Sequence, residues 1–187
     1  LTHEFKDLLR YVATPHYAAD GCEGTNYCSI IFARHHVSPI ELRGAKPAIN
    51  SMDSMSGFLA LKLVHATLRS DGDFFTTPLI TGGHLASMAA VQNGSADVCA
   101  IDCVCVALAR KYRPEALEGL VEIARSPSVP ALPYVTRVGD IGRLRLALQQ
   151  AFRDPELQTA REALLLGDVS VLPDHAYDII LQLEASL

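Results

Sequence analysis

Asp53-Ser54-Met55-Ser56-Gly57 and Thr81-Gly82-Gly83-His84-Leu85-Ala86-Ser87 decide the reading of this chain. Each follows a short extended run and opens an apolar helical pattern. A strand-to-helix turn rich in Ser and Gly presents backbone N–H groups that no helix carbonyl can satisfy, at the positive end of the helix dipole. Such a turn is an anion site made of backbone. Two of them, in a chain that alternates strand and helix, point to one small anionic ligand held in a cleft.

Around these starts the pattern extends in both directions. Residues 28–34 are a nearly continuous apolar run, as expected of a strand covered on both faces. Ser38-Pro39-Ile40-Glu41-Leu42-Arg43-Gly44 reads as a turn, and residues 46–50 as a second strand. Phe58, Leu61, Val64 and Leu68 recur at helical spacing across 56–69. Residues 78–81 read as a strand, 84–92 as a helix stopped by Asn93-Gly94, and 98–101 as a strand. Asp102 can cap a helix over 103–111, and 120–124 is a further strand.

Outside this region, residues 8–13 read as a strand and 14–26 as a connector. Pro127, Pro130 and Pro133 break the pattern, and 134–137 is extended. The tail reads as three helices. One spans 141–152, with Ile141, Leu144, Leu148 and Ala151 on one face. A second opens at Asp154-Pro155-Glu156 and closes at Gly167, and the last spans 176–185. The alternation from Cys28 to Ala124 predicts a parallel-rich α/β lobe over residues 27–125. Residues 1–26 and 126–187 are expected to pack together as a second, discontinuous lobe joined through a hinge.

Composition narrows the function. The chain has 187 residues, 49% hydrophobic and 20% charged, with a net charge of −5, as in an ordinary globular protein. Its Lys and Arg residues are scattered, so nothing would neutralise a run of phosphates, and nucleic acid is not an expected partner. No apolar run reaches the roughly 18–20 residues of a membrane span, so direct membrane insertion is not expected either. The chain begins with Leu rather than Met and shows no signal peptide, so its native start is expected upstream. Five cysteines form no CxxC pair. Cys99, Cys103 and Cys105 lie in an apolar run and read as small core residues, while a Cys22–Cys28 disulfide stays open.

Three constellations carry chemistry. Ser54 and Ser56 offer hydroxyls, and Gly57 lets a ligand approach the backbone; alternatively, Asp53 or Ser54 only caps the helix. Gly83 and its neighbour permit a nest of N–H groups, with His84 donating from a neutral ring and Ser87 one turn on; alternatively, His84 only faces solvent. Asp102 ends a buried strand, where open α/β sheets bind ligands. It would repel a fully ionised phosphate, but could accept from a protonated oxygen or pair with an amine; alternatively, it is an N-cap. GxSxG, P-loop, GxGxxG and HExxH patterns are absent, and Cys103 reads as an inert buried thiol. His35-His36 and His16 read as solvated. No enzyme activity, no metal and no cofactor are expected.

The ordered set Leu42-Arg43-Gly44, Ala48-Ile49-Asn50, Asp53-Ser54-x-Ser56-Gly57, Gly83-His84-x-x-Ser87, Asn93-Gly94-x-Ala96-Asp97, Ile101-Asp102 and Pro130-x-Leu132-Pro133-Tyr134 resembles the phosphate/phosphonate-type periplasmic solute-binding proteins of ABC transporters. The resemblance runs well from Tyr27 to Thr136. It implies a type II periplasmic-binding α/β fold of two lobes with a hinge, the first lobe incomplete at the N-terminus. It also implies a periplasmic location, a permease partner and capture of a phosphonate, phosphite or phosphate-like oxyanion. Ser54, Ser56, His84 and the N–H of Met55 are the implied oxyanion ligands, Asp102 a further contact, and Tyr134 a residue lining the cleft. Met55 stands where the family commonly has Ser or Thr. Two alternatives use the same fold: the effector domain of a LysR-type regulator, which would be cytoplasmic, and an enzyme related to thiamine-pyrimidine or menaquinone-precursor synthesis.

Overall fold

A computed structural model describes residues 5, 8–66, 74–173 and 175–187. In chain order the described strands are β1 (Arg10–Tyr17), β2 (Cys22–Glu23), β3 (Asn26–Tyr27), β4 (Ser29–Ala33), β5 (Pro47–Ile49), β6 (Leu79–Ile80), β7 (Val98–Asp102), β8 (Val121–Arg125), β9 (Val129–Pro130), β10 (Tyr134–Thr136) and β11 (Leu166–Ser170). The helices are α1 (Ala60–His65), α2 (His84–Gln92), α3 (Cys103–Tyr112), α4 (Ile141–Arg153), α5 (Gln158–Ala163) and α6 (Asp178–Ala185). The chain divides into two compact units. The first is Leu1–Tyr27 with Val129–Ala185, and the second is Cys28–Ser128 with Ser186–Leu187.

The second unit is built on a sheet of order β6-β5-β7-β4-β8. Every residue of β4, β5 and β7 is buried, which is why these segments read as unbroken apolar runs. β5 pairs in parallel with β6 and β7, whereas β4 runs antiparallel to both β7 and β8. Four strands therefore share one direction and β4 opposes them, a departure from the parallel-rich expectation. A crossover helix marks a parallel return, and the link from β4 to β5 holds only the short 3₁₀ turn Pro39–Leu42. Ile31, Leu42, Leu61, Phe74, Val98 and Ala100 make the core cluster beneath α1.

The helix expected over 56–69 opens as a π-helical turn, Met55–Leu59, before α1 begins. The Ser54 carbonyl accepts from both Phe58 N (3.1 Å) and Leu59 N (3.0 Å), which widens the first turn. Residues 67–69 lie outside the described residues. The α2 terminus is closed by Arg34. Its Nη1 donates to the carbonyls of Val91 and Ala96 at 2.7 Å each, and its Nη2 to Asp97 Oδ1 at 3.3 Å. Helix-end carbonyls need such a partner, and Arg supplies several donors in a fixed fork.

In the first unit, β1 is the centre of an antiparallel sheet β10-β1-β11, and β2-β3-β9 form a second small sheet. The strand expected to end at residue 13 continues through Pro15 to Tyr17. Proline is tolerated because β10 pairs only as far as Ala13, leaving the β10 side of β1 without a partner at Pro15. Gly167 does not close a helix as expected. The chain turns at Leu165, which adopts φ 58°, and Gly167 lies within β11. The α4 face is also narrower than its pattern implied: Leu148 and Phe152 pack on Val12, Ala13 and Val169, while Leu144 is exposed. Tyr177 Oη is 2.7 Å from Thr14 Oγ1 and donates to the Ala131 carbonyl at 2.7 Å, all within this unit.

Two substitutions test these ties. Arg34→Ala removes the bonds to the Val91 and Ala96 carbonyls and to Asp97 and should cost about 1–3 kcal/mol, and Tyr177→Phe about 1–2 kcal/mol. Arg125→Ala removes the half-exposed pair with Glu122 (2.7 Å) and should stay within about 1 kcal/mol. Urea unfolding midpoints check all three.

Candidate functional site

Because β5, β6 and β7 point the same way, their carboxyl ends lie at one edge of the sheet. Each is followed by a helix N-terminus: the turn at Ser54, α2 after Gly83, and α3 after Asp102. Backbone bonds pin the first two starts together. Thr81 N donates to the Ile49 carbonyl at 2.8 Å, and Gly82 N to the Asn50 carbonyl at 3.1 Å. Gly82 needs to be glycine because its φ is +82°. Gly83, extended at the N-cap, carries no such constraint.

The hydroxyls divide by task. Ser54 Oγ accepts from Gly57 N at 3.0 Å, so this residue is the cap, and Asp53 is not. The N–H groups of Met55 and Ser56 belong to the first turn, where no helix carbonyl can reach them. Thr81 Oγ1 sits 2.7 Å from Ser87 Oγ and donates to the Ile49 carbonyl at 3.0 Å. Ser87 is thus buried and engaged in tying α2 to β6. Gly57 is required for space: a Cβ there would overlap Asn50 Oδ1. That oxygen is buried and, among the described residues, has no hydrogen-bond partner.

At the centre stands His84, the first residue of α2, with its side chain 14% exposed. Its Nε2 lies 3.1 Å from Ser56 Oγ and 3.4 Å from Asp102 Oδ2. Its Nδ1 is buried without a partner among the described residues. Serine and aspartate therefore meet the same ring nitrogen. A serine–histidine–aspartate relay needs them on opposite nitrogens, so this arrangement does not activate Ser56 as a nucleophile. What it offers is a hydroxyl and an imidazole side by side at two helix starts.

Asp102 fills both of its sequence readings. Its Oδ1 accepts from Cys105 N at 2.7 Å, capping α3, and its Oδ2 faces His84. Burial alone would raise this carboxyl, but hydrogen bonds from His84 and Cys105 outweigh it and hold the group below the ordinary carboxylate range. Burial, then the adjacent Asp102 carboxylate, push the Cys105 thiol well above its usual range. Tyr134 lies in β10 of the other unit, half-buried, with burial raising its hydroxyl. Sequence reasoning passed over Thr81, Asn50 as a spacer under Gly57, and Cys105. The signal for Cys105 was its place three residues after a capping aspartate, which turns it toward the cap.

Residues 6–170 match the periplasmic phosphonate substrate-binding proteins of ABC transporters, and the chain belongs to that family. Solved structures agree on the fold. A binding protein component of an ABC phosphonate transporter from Pseudomonas aeruginosa is 22% identical over 95% of this chain and 62% of its own, with a TM-score of 0.78. PhnD1 from Prochlorococcus marinus, in complex with methylphosphonate, is 14% identical over 96% of this chain and 71% of its own, with a TM-score of 0.76. XAC2383 from Xanthomonas citri, bound to chloride ion, is 21% identical over 95% and 69%, with a TM-score of 0.71. The chain thus has the type II periplasmic-binding α/β fold and spans about two thirds of these relatives. No curated protein matches it. The regulator and enzyme alternatives gain no support. Among the described residues no helix is long and apolar enough to cross a membrane.

Two outcomes follow from this geometry. Gly57→Ala drives a methyl group into Asn50 and should cost about 1–3 kcal/mol. Asp102 has a depressed folded pKa, so its contribution is present above the unfolded value of about 3.9 and is lost as pH falls through the folded value. Asp102→Asn should therefore flatten the loss of stability below about pH 4, measured by urea unfolding across the acid range.

Proposed function

We infer that this protein is the substrate-binding component of an ABC transporter for a small phosphorus oxyanion of the phosphonate class. It works in the periplasm and passes its ligand to a membrane permease. The observation that carries the reading is the contact of Ser56 and His84 across two adjacent helix starts. Oxyanion oxygens there meet the N–H groups of Met55 and Ser56, the Ser56 hydroxyl and the imidazole N–H, with two helix dipoles behind them. Family membership supports the reading, as does the geometry that leaves Ser56 without a relay.

Asp102 sets which oxyanion fits. A buried carboxylate beside the imidazole disfavours a bare dianion and favours a ligand with a protonated oxygen or a cationic substituent. Met55, where a hydroxyl residue is common in the family, takes one donor from the site and leaves its N–H.

Titration calorimetry with methylphosphonate, phosphite, phosphate and sulfate tests the proposal. A phosphorus oxyanion should bind, and Ser56→Ala or His84→Ala should each weaken it about 10- to 100-fold, the loss of a charge-assisted hydrogen bond. Ser87→Ala should change affinity by less than about 3-fold, since its hydroxyl serves Thr81. Unchanged affinity in the Ser56/His84 double variant, or no binding of any phosphorus oxyanion, contradicts the reading.

A further inference from the structure

The register of β4 against β7 sets two cysteines side by side. Ser29 pairs with Asp102, and one rung further Cys28 meets Cys103, whose N–H donates to the Cys28 carbonyl at 3.0 Å. In an antiparallel ladder such a bond joins directly opposite residues, with Cα atoms about 5.5 Å apart. Disulfides span Cα separations of about 4.4–6.8 Å, most often about 5.5–6 Å. We propose that Cys28 and Cys103 form a cross-strand disulfide that fastens the start of α3 to β4.

Alternation puts the two side chains in one row. Ile31, Val98 and Ala100 turn toward the core beneath α1, so Ile30, Phe32, Cys99 and Ile101 take the opposite face. Cys28 and Cys103 extend that second row by one rung. Cβ atoms directly opposite each other lie about 4.5–5.5 Å apart, and a disulfide draws them to about 3.5–4.5 Å. Cys28 precedes the first residue of β4 and Cys103 follows the last of β7. The approach of about 1 Å therefore falls at the end of the ladder, where no later rung of this pair is displaced. Cys99 lies opposite Phe32 and has no cysteine across from it.

The bond forms by exchange with a disulfide oxidant such as oxidised glutathione. One cysteine thiolate attacks it and expels a first glutathione; the second cysteine attacks the mixed disulfide and expels the other. One S–S bond forms in the protein, two electrons pass to the oxidant, and both thiol protons end on the departing glutathiones. Cys28 is 7% and Cys103 1% exposed, so once closed the bond is screened from reductants. It encloses β5, α1, β6 and α2 in a long covalent loop, the case in which a cross-link constrains the unfolded chain most. It also stands next to Asp102, and so ties the third helix start of the site to its neighbouring strand. The disulfide does not depend on anion binding, and an oxidising compartment such as the periplasm preserves it.

The experiment uses the purified chain, once as folded and once refolded from urea, each held in a mixture of oxidised and reduced glutathione. Remaining thiols are alkylated in denaturant, and the digested peptides are measured by mass spectrometry. A peptide pair joined through Cys28 and Cys103, two hydrogens lighter than the separate thiols, should account for most of the chain by at least one route. Cys22, Cys99 and Cys105 should stay outside any protein disulfide. Reducing the linked form should lower its thermal unfolding midpoint by about 5–15 °C. Cys28→Ala and Cys103→Ala should each lose both the joined peptide and the shift on reduction. Five unlinked cysteines by both routes, or a link that uses Cys22, Cys99 or Cys105 in place of either partner, overturns the proposal. So does a linked form whose midpoint is unchanged by reduction, because the bond would then lie outside the native fold.

Discussion

The common direction of β5, β6 and β7 is the constraint on which the rest of the second unit depends. Parallel strands place their carboxyl ends at one edge, and every return to a parallel strand requires the chain to leave that edge again. Here it leaves three times as a helix, so three sets of unsatisfied N–H groups are delivered to one place. The bonds from Thr81 and Gly82 to the Ile49 and Asn50 carbonyls then fix the spacing of two of those starts. Ser56 and His84 meet because their backbones were already held at that distance.

What the edge gathers is electrically mixed. Two helix starts, a hydroxyl and an imidazole attract negative charge, while Asp102 contributes a buried negative charge of its own. The carboxylate persists because it is bonded on both oxygens, to Cys105 N and to His84. An anion entering here has to be accommodated against that charge, by its own proton or by a cationic group. The chemistry of the site is therefore decided at Asp102 more than at the serines.

The sequence carried the elements that surround this edge. Apolar runs marked β4 and β7, glycine and asparagine marked the end of α2, and Asp102 was legible as a cap. It did not carry strand direction, because a short buried strand reads the same whichever way its neighbour runs; hence the reversal of β4 went unforeseen. Gly167 misled because a glycine after a helical pattern resembles a C-cap, whereas Leu165 makes the turn and pairing with β1 recruits residues 166–170 as a strand. At the site, Ser54, Ser56, His84 and Asp102 stood out through their places at helix starts. Ser87 also stood out, but the periodicity that put it on the His84 face could not show that Thr81 would engage it. Cys105 was hidden by its apolar neighbours: its place three residues after a capping aspartate was legible, but not that the imidazole opening α2 would face the same carboxylate.

The proposed function requires an oxyanion to be received at the starts of two adjacent helices. Backbone amide spectra of the ¹⁵N-labelled chain, recorded as methylphosphonate is added, test it most directly. The largest shifts should fall on the amides of Met55, Ser56, His84 and Leu85, at the first turns of the two helices. Saturable shifts confined to residues away from these turns would contradict it.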